Sequence, residues 1–354
     1  MLKKNERQSS NYSVKININC GAPQNDKGGI LMYRICSLFA GVGGIDLGFL
    51  QTNNCEITYA NEFDKYAVKT YEMNFDNKVD CRDIHEVKIN EIPEFDIMVG
   101  GFPCTSFSVA GYRKGFDDDR SGDLFFEMER IFKERKPRVV FLENVKNLVG
   151  HDNGNTFRVI IDRLERAGYK GKIRYQVLNA CDFGNIPQNR ERIYIVAFRE
   201  KEDYDRFQMP MPIPLDNTIK KVFNFDTKVD DKYYYTEGKY KGEMYKLLTE
   251  EMDDDSTVYQ WRRKYVRKNQ SNLVPTLTAN MGEGGHNVPL IKTQFGIRKL
   301  TPLECFYAQG YPKNYVLPND TSDARLYKQA GNSVVVPVIN RIAENIIKAL
   351  NNDN

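Results

Sequence analysis

Cys104 is the side chain of this sequence best placed to serve as a nucleophile. It follows Gly100-Gly101-Phe102-Pro103 and precedes Thr105-Ser106-Phe107-Ser108-Val109-Ala110-Gly111, so two glycines and a proline fix the turn that carries the thiol. The apolar run before it, Phe95-Asp96-Ile97-Met98-Val99, reads as a short buried strand. Cys104 therefore stands just past a strand's carboxyl end, where open α/β sheets hold their ligands. An isolated cysteine is ordinarily a buried apolar thiol, but small polar residues bounded by glycine suit an exposed loop. Arg138-Val139-Val140-Phe141-Leu142 reads as a second buried strand and delivers Glu143 to the same edge. That carboxyl is either an acid for catalysis or a capping, salt-bridged group. Arg190 and Arg192, in Pro187-Gln188-Asn189-Arg190-Glu191-Arg192 ahead of the strand Ile193–Phe198, face the edge holding Cys104 and Glu143. A thiol beside a carboxyl is the equipment of covalent catalysis.

The elements that must position these groups begin at Tyr33-Arg34-Ile35-Cys36-Ser37-Leu38, a strand that runs into Phe39-Ala40-Gly41-Val42-Gly43-Gly44 and then a helix. A strand, a glycine turn and a helix let backbone amides approach a ligand closely. The pattern is not G-x-G-x-x-G, because Asp46 takes the third glycine's place, which argues against an ordinary dinucleotide enzyme. A second strand, Glu56–Ala60, ends at Asn61-Glu62-Phe63-Asp64, and a third short segment ends at Asp83-Ile84. Acids at successive strand ends are common helix N-caps, but beside a glycine turn they also outline an adenosine pocket. Leu124–Phe132 has helical spacing, as does Thr156–Ala167 with Val159, Ile160 and Leu164 inward. From Pro337 to Leu350 a last helix carries Val338, Ile339, Ile342, Ile346 and Leu350 on one stripe that must pack back on the first domain.

The 354 residues suffice for one large domain and a smaller one. A net charge of +3 gives no general attraction to nucleic acid, so local basic clusters must carry it. The seven cysteines are far apart, form no C-x-x-C pair and accompany only three histidines. That spacing points to no metal site, and with no signal-peptide pattern it points to a reducing cytoplasm. No apolar run spans a bilayer. Residues 1–30 read as a flexible polar tail, 31–200 as the catalytic domain, 201–325 as a small second domain entered through Met209-Pro210-Met211-Pro212-Ile213-Pro214, and 326–354 as a segment returning to the first. In the second domain Trp261-Arg262-Arg263-Lys264-Tyr265-Val266-Arg267-Lys268 interleaves aromatic and basic groups. Such a run is either a solvated strand or a set of phosphate and base contacts.

Taken in order, Phe39–Gly44, Asn61-Glu62, Asp83-Ile84, Gly101-Phe102-Pro103-Cys104, Glu143-Asn144-Val145, Gln188–Arg192 and Gly331-Asn332-Ser333-Val334-Val335 resemble the DNA cytosine-5 methyltransferases, over residues 33 to about 350. The resemblance implies an α/β, Rossmann-like S-adenosylmethionine-dependent methyltransferase sheet with a smaller target-recognition domain. It implies S-adenosyl-L-methionine as donor, S-adenosyl-L-homocysteine as product, and cytosine in double-stranded DNA as substrate. Cys104 would add to ring carbon 6, Glu143 would hold ring nitrogen 3 and the exocyclic amine, and Arg192 the base carbonyl, with Arg190 beside it. Burial would raise the Glu143 carboxyl and Arg192 would lower it, and residue order does not decide between them. Phe39, Gly41, Gly43 and Gly44 would hold the methionine end of the cofactor, Glu62 the ribose, and Phe63, Asp83 and Ile84 the adenine, with Leu124, Asn332 and Val334 completing the wall. The loop from Ser106 to Arg120, with Ser108 on the DNA, is suited to closing over a displaced nucleotide. Thr276, Leu277, Gly284 and Gly285 resemble the recognition domain's Thr-Leu element and glycine loops, and Arg262 and Arg263 would contact DNA. A monomer associated functionally with a restriction endonuclease is the expected state. The competing readings are a transfer-RNA methyltransferase, whose Cys-Phe-Thr signature is absent, an amino-group methyltransferase, whose Asp/Asn-Pro-Pro-Tyr motif is absent, and an inactive DNA-binding module.

Overall fold

Apolar runs buried on both faces become the central strands of one sheet. The computed structural model describes residues 31–102, 124–223, 225–239, 243–262, 264–283 and 288–352. Its first sheet comprises β1 (Tyr33–Leu38), β2 (Cys55–Asn61), β3 (Ile97–Gly101), β4 (Val139–Val145), β5 (Ile173–Asn179) and β6 (Glu191–Phe198), in the order β2-β1-β3-β4-β6-β5. The first four in that order are parallel, and β6 runs antiparallel to both neighbours. β3 and β4 are buried almost throughout, as parallel strands covered by helices on both faces must be. Residues Asp80–Ile84 make only an isolated parallel bridge, Asn61 to Asp80, followed by a single helical turn at Ile84–Glu86.

Helices α1 (Gly44–Leu50), α2 (Lys65–Asn74), α3 (Leu124–Arg135) and α4 (Asn155–Leu164) cover the faces. α3 buries Phe125, Met128, Ile131 and Phe132, the face expected from its spacing. α4 instead centres its buried stripe on Thr156, Phe157, Ile160 and Leu164. Val159 lies at the margin of that stripe, half-buried. The helix ends three residues early, because a wide turn over Glu165–Tyr169 follows, with Gly168 at φ 105°. After α5 (Asp323–Asn332), α6 (Val336–Asn351) begins with proline in its first turn and buries Val338, Ile339, Ile342, Ile346 and Leu350. It lies against α1 so closely that a Cβ on Gly48 would stand 2.5 Å from Ile339 Cγ2. The end of the chain thus completes the layer begun by its start.

A second sheet, order β10-β9-β7-β8, is built from β7 (Tyr259–Trp261), β8 (Val266–Lys268), β9 (Leu290–Thr293) and β10 (Gly296–Lys299), all antiparallel. The period of two sorts the basic run: Tyr259 and Trp261 point in and pack with Tyr235, Met244, Leu248 and Leu290, while Arg262 and Arg267 are exposed. The main apolar core also continues from beneath β1 into Val258, Val274, Leu277 and Ile291, so it runs unbroken past the proline-rich segment.

Candidate active site

The carboxyl ends of β1 to β4 open into a cavity of about 550 Å³, within the usual range for small-molecule sites. Phe39, Gly41, Gly44, Glu62, Phe63, Asp83, Ile84, Leu124, Asn332 and Val334 all line it, and so do Glu143, Arg190 and Arg192. Residues read separately at seven places in the chain therefore meet in one space.

The glycine turn is built for close approach. Phe39, Gly41 and Gly43 have φ of 55°, 57° and 80°, and a Cβ on Gly44 would fall 2.5 Å from Tyr311 Oη and 2.8 Å from Ser333 Oγ. Gly43 does not line the cavity. It sits against the Phe75 ring, 2.3 Å from where its Cβ would be, and it caps α1 in the left-handed conformation. Beneath the turn Asp46 is buried and accepts hydrogen bonds from Ser37 Oγ (2.5 Å) and Tyr71 Oη (2.6 Å). Burial outweighs these donors and pushes its carboxyl up to about 6.

Glu62 is held from the backbone: Gly41 N–H donates to Oε2 and Asp64 N–H to Oε1, both at 2.8 Å. Burial raises its carboxyl despite those donors, and each oxygen keeps a lone pair for a hydroxyl. Asp83 is both a cap and cavity wall. Its Oδ1 accepts the His85 N–H at 3.1 Å and pairs with His85 Nδ1 at 2.5 Å, which lowers its carboxyl. Phe63 is 70% exposed, an apolar ring left bare at the cavity, suited to stacking on a planar ligand.

Glu143 sits opposite Gly101 on β3 and Tyr194 on β6, and Arg192 is paired with Val145. This register sets Glu143 and Arg192 diagonally across β4 and β6, with Arg192 Nε 3.1 Å from Glu143 Oε1. A Cβ on Gly101 would lie 3.1 Å from Glu143 Oε2, so glycine there leaves room for the carboxylate. Burial raises the Glu143 carboxyl, with Arg192 and then Arg190 opposing. Desolvation therefore wins the contest that residue order left open. Asn144, quoted in the sequence motif but given no role there, donates from Nδ2 to the Phe102 carbonyl at 2.7 Å. It thereby pins the last described residue before Pro103-Cys104. Gln329 and Ser333 also line the cavity. Ser333 stood in the quoted motif, while nothing local marked Gln329, which holds the Thr70 hydroxyl and the Tyr66 carbonyl of α2, both at 2.9 Å.

Two expected roles change. Arg190, expected beside Arg192 among the catalytic groups, commits its guanidinium to backbone carbonyls: Nη1 donates to Leu277 O at 2.8 Å, and Nη2 to Gly331 O at 3.0 Å and to Ser333 O. Burial and the neighbouring Arg192 push it down to about 9, still protonated at neutral pH. Leu277, expected among the DNA-binding residues of the recognition element, instead buries its side chain in the main core, 2% exposed. Its neighbour Thr276 is exposed, with Oγ1 donating to Asn189 O at 2.6 Å. Arg262 is exposed and donates from Nη2 to Gln260 Oε1 at 3.1 Å. Cys104, Ser108, the rest of the loop to Arg120, Arg263, Gly284 and Gly285 lie outside the described residues. No group of three His, Cys, Asp or Glu among the described residues is arranged to hold a metal. No helix among them is long and apolar enough to cross a membrane.

The C-5 cytosine-specific DNA methylase family matches residues 33–348. The chain belongs to that family. It is 64% identical over 319 residues to the type II methyltransferase M.Bsp6I of Bacillus sp. (strain RFL6), covering 90% of this chain and all of that one. Identity to M.HhaI of Haemophilus parahaemolyticus is 40% over 331 residues, covering 90% of this chain and 95% of that one. Among solved structures, a Spodoptera frugiperda DNMT2 variant superposes with a TM-score of 0.68 at 19% identity, over 89% of this chain and 99% of that one. The Entamoeba histolytica methyltransferase EhMeth gives 0.66 at 18%, over 90% and 99%. At those identities the structures show the shared fold, a Rossmann-like methyltransferase sheet.

Proposed function

We propose that this DNA methyltransferase transfers a methyl group from S-adenosylmethionine to carbon 5 of a flipped-out cytosine within a short specific sequence of duplex DNA, as the modification enzyme of a type II restriction-modification system. The observation that carries the reading is one cavity joining the Gly41–Glu62 cradle to the Glu143–Arg192 pair, at the end of the strand that leads to Cys104. The cradle fits the donor. Glu62 keeps a lone pair on each oxygen for ribose hydroxyls, and Phe63 offers a bare ring to adenine. When bound, the donor supplies an electrophilic methyl group, and S-adenosylhomocysteine remains.

The protein's own groups do the rest. A base cannot react inside the stack, so it is flipped out at a cost of about a few kcal/mol. Cys104, as thiolate, adds to ring carbon 6, converting a poor carbon nucleophile at position 5 into an enamine-like one. Glu143, kept more protonated than a free carboxyl by burial, holds ring nitrogen 3 and offers it a proton. Arg192 beside it takes the base carbonyl. Carbon 5 then bonds to the methyl group, its proton passes to solvent water, and the electron pair of that C–H bond re-forms the 5,6 double bond as Cys104 leaves as thiolate and ring nitrogen 3 returns its proton. The exposed Arg262 and Thr276, with Arg263, Gly284 and Gly285, form the DNA-facing surface of a target-recognition domain over 201–325. Residues 31–200 and 326–354 form the catalytic body, which acts as a monomer in the cytoplasm of a cell that carries a cognate endonuclease.

Duplex DNA carrying 5-fluorocytosine tests the chemistry, because the fluorine cannot leave as a proton does. With S-adenosylmethionine present, a denaturation-resistant protein–DNA adduct is expected, and the Cys104→Ser protein should form none. An adduct that survives the serine substitution, or parent-rate methylation by that variant, refutes the covalent route. Sequencing methylcytosine in DNA from expressing cells identifies the target.

A further inference from the structure

Arg190 joins three parts of the chain that are distant in sequence. Its side chain leaves the start of β6, two residues before Arg192, and reaches the carbonyls of Leu277, Gly331 and Ser333, which lie 87, 141 and 143 residues away. Arg190 is 2% exposed, and its Nε has no hydrogen-bond partner among the described residues. Leu277 follows the exposed Thr276, whose hydroxyl is itself tied to Asn189. Gly331 and Ser333 flank Asn332 on the cavity wall. The two acceptor segments also touch directly: a Cβ on Gly331 would stand 2.2 Å from the Thr278 carbonyl carbon and 2.5 Å from Ala279 N. Gly282 packs equally closely on α5, where an added Cβ would stand 2.9 Å from Ala324 Cα and Tyr327 Cβ.

A guanidinium presents its donors in a rigid planar fork. Two carbonyls on one nitrogen and a third on the other therefore fix the 276–282 segment and the 331–333 wall in one frame. If either segment shifts, buried donors of a charged group are stranded, which is far costlier than losing a surface hydrogen bond. We infer that Arg190 is a positioning residue that couples the two ligand surfaces, so that cofactor bound against the 331–334 wall and DNA bound against the Thr276 segment strengthen each other's binding. Ordering one segment prepays part of the ordering of the other, and by linkage the effect is reciprocal. The inference rests on the function proposed above, because it needs both ligands to bind where that reading puts them.

The test measures duplex affinity with and without S-adenosylhomocysteine, using a duplex that carries the sequence found methylated in cells. In the parent protein the cofactor product should tighten duplex binding by about 5-fold or more, the low end of ordinary coupling. In Arg190→Lys, whose ammonium is a point charge rather than a fork, that factor should fall below about 2-fold, whatever the variant's cofactor affinity without DNA. A merely structural role would instead weaken the binding of each ligand while leaving the factor between them at the parent's value. A folded Arg190→Lys protein with the parent's factor overturns the inference, as does a parent factor of one. Should the variant not fold, hydrogen exchange on the parent decides. Cofactor product alone should slow exchange at amides of 277–281 as well as 331–334, and protection confined to 331–334 overturns the coupling. A parent that binds neither ligand refutes the proposed function itself, which is a distinct outcome.

Discussion

Replacing Asp46 by Asn should remove a loss of stability that the parent suffers between pH 4 and pH 7. Asp46 occupies the third position of α1, near a helix N-terminus that favours an anion, and two hydroxyls donate to it. Even so, full burial raises its carboxyl from 3.8 to about 6. A carboxyl whose folded value lies above its unfolded value binds protons more tightly in the native state. Its contribution is therefore complete below the unfolded value and is lost as pH rises through the folded one. The span is about two units, or about 3 kcal/mol at 1.36 kcal/mol each, and about 2 kcal/mol of it falls between pH 4 and pH 7. Asn keeps the shape and a hydrogen-bonding group but cannot ionise. The difference between variant and parent, from urea unfolding at several pH values, should therefore move by about 2 kcal/mol in the variant's favour as pH rises from 4 to 7. Titrations elsewhere cancel in that difference. Parallel curves for the two proteins, or a shift of the opposite sign, would refute the claim that Asp46 is charged at a cost beneath the glycine turn.

Four further outcomes follow from the geometry. Glu143→Gln keeps the volume but removes the proton, so single-turnover methylation should fall about 10²- to 10⁴-fold with S-adenosylhomocysteine binding nearly unchanged; a parent-like rate would remove Glu143 from proton transfer. Phe63→Ala should weaken binding of the same product by about 5- to 150-fold, the range for ring stacking on a base, without moving the unfolding midpoint, because the ring is already exposed. Gly331→Ala forces a methyl into backbone at 2.2 Å and should cost about 1–3 kcal/mol or more in urea unfolding, whereas Gly150→Ala, with nothing within 4 Å, should stay within about 0.5 kcal/mol of the parent. Arg262→Ala should reduce the slope of log affinity against log salt by about 0.9, and an unchanged slope would take Arg262 off the phosphates.

What the sequence made legible was local. The ends of β1, β2 and β4, and the segment bridged at Asp80, each carry a short motif, so Gly41, Glu62, Glu143 and Asp83 could be picked out and do share a cavity. The α6 stripe was legible for a similar reason, since a period near 3.6 needs no partner to be seen. What the sequence left illegible depends mostly on partners distant in the chain. Gly43 packs on Phe75, the buried Asp46 is held by Tyr71, and Leu277 joins a core shared with β1 and α6. Arg190 shows the limit most clearly. Its neighbour Arg192 has the same side chain two residues further on, yet Arg192 meets a carboxylate on β4 and Arg190 meets the carbonyls of Leu277, Gly331 and Ser333. Only the tertiary register separates a guanidinium that can meet substrate from one that holds the walls together. A motif at a strand end thus names the groups available to chemistry, while long-range packing decides which of them remain free to perform it.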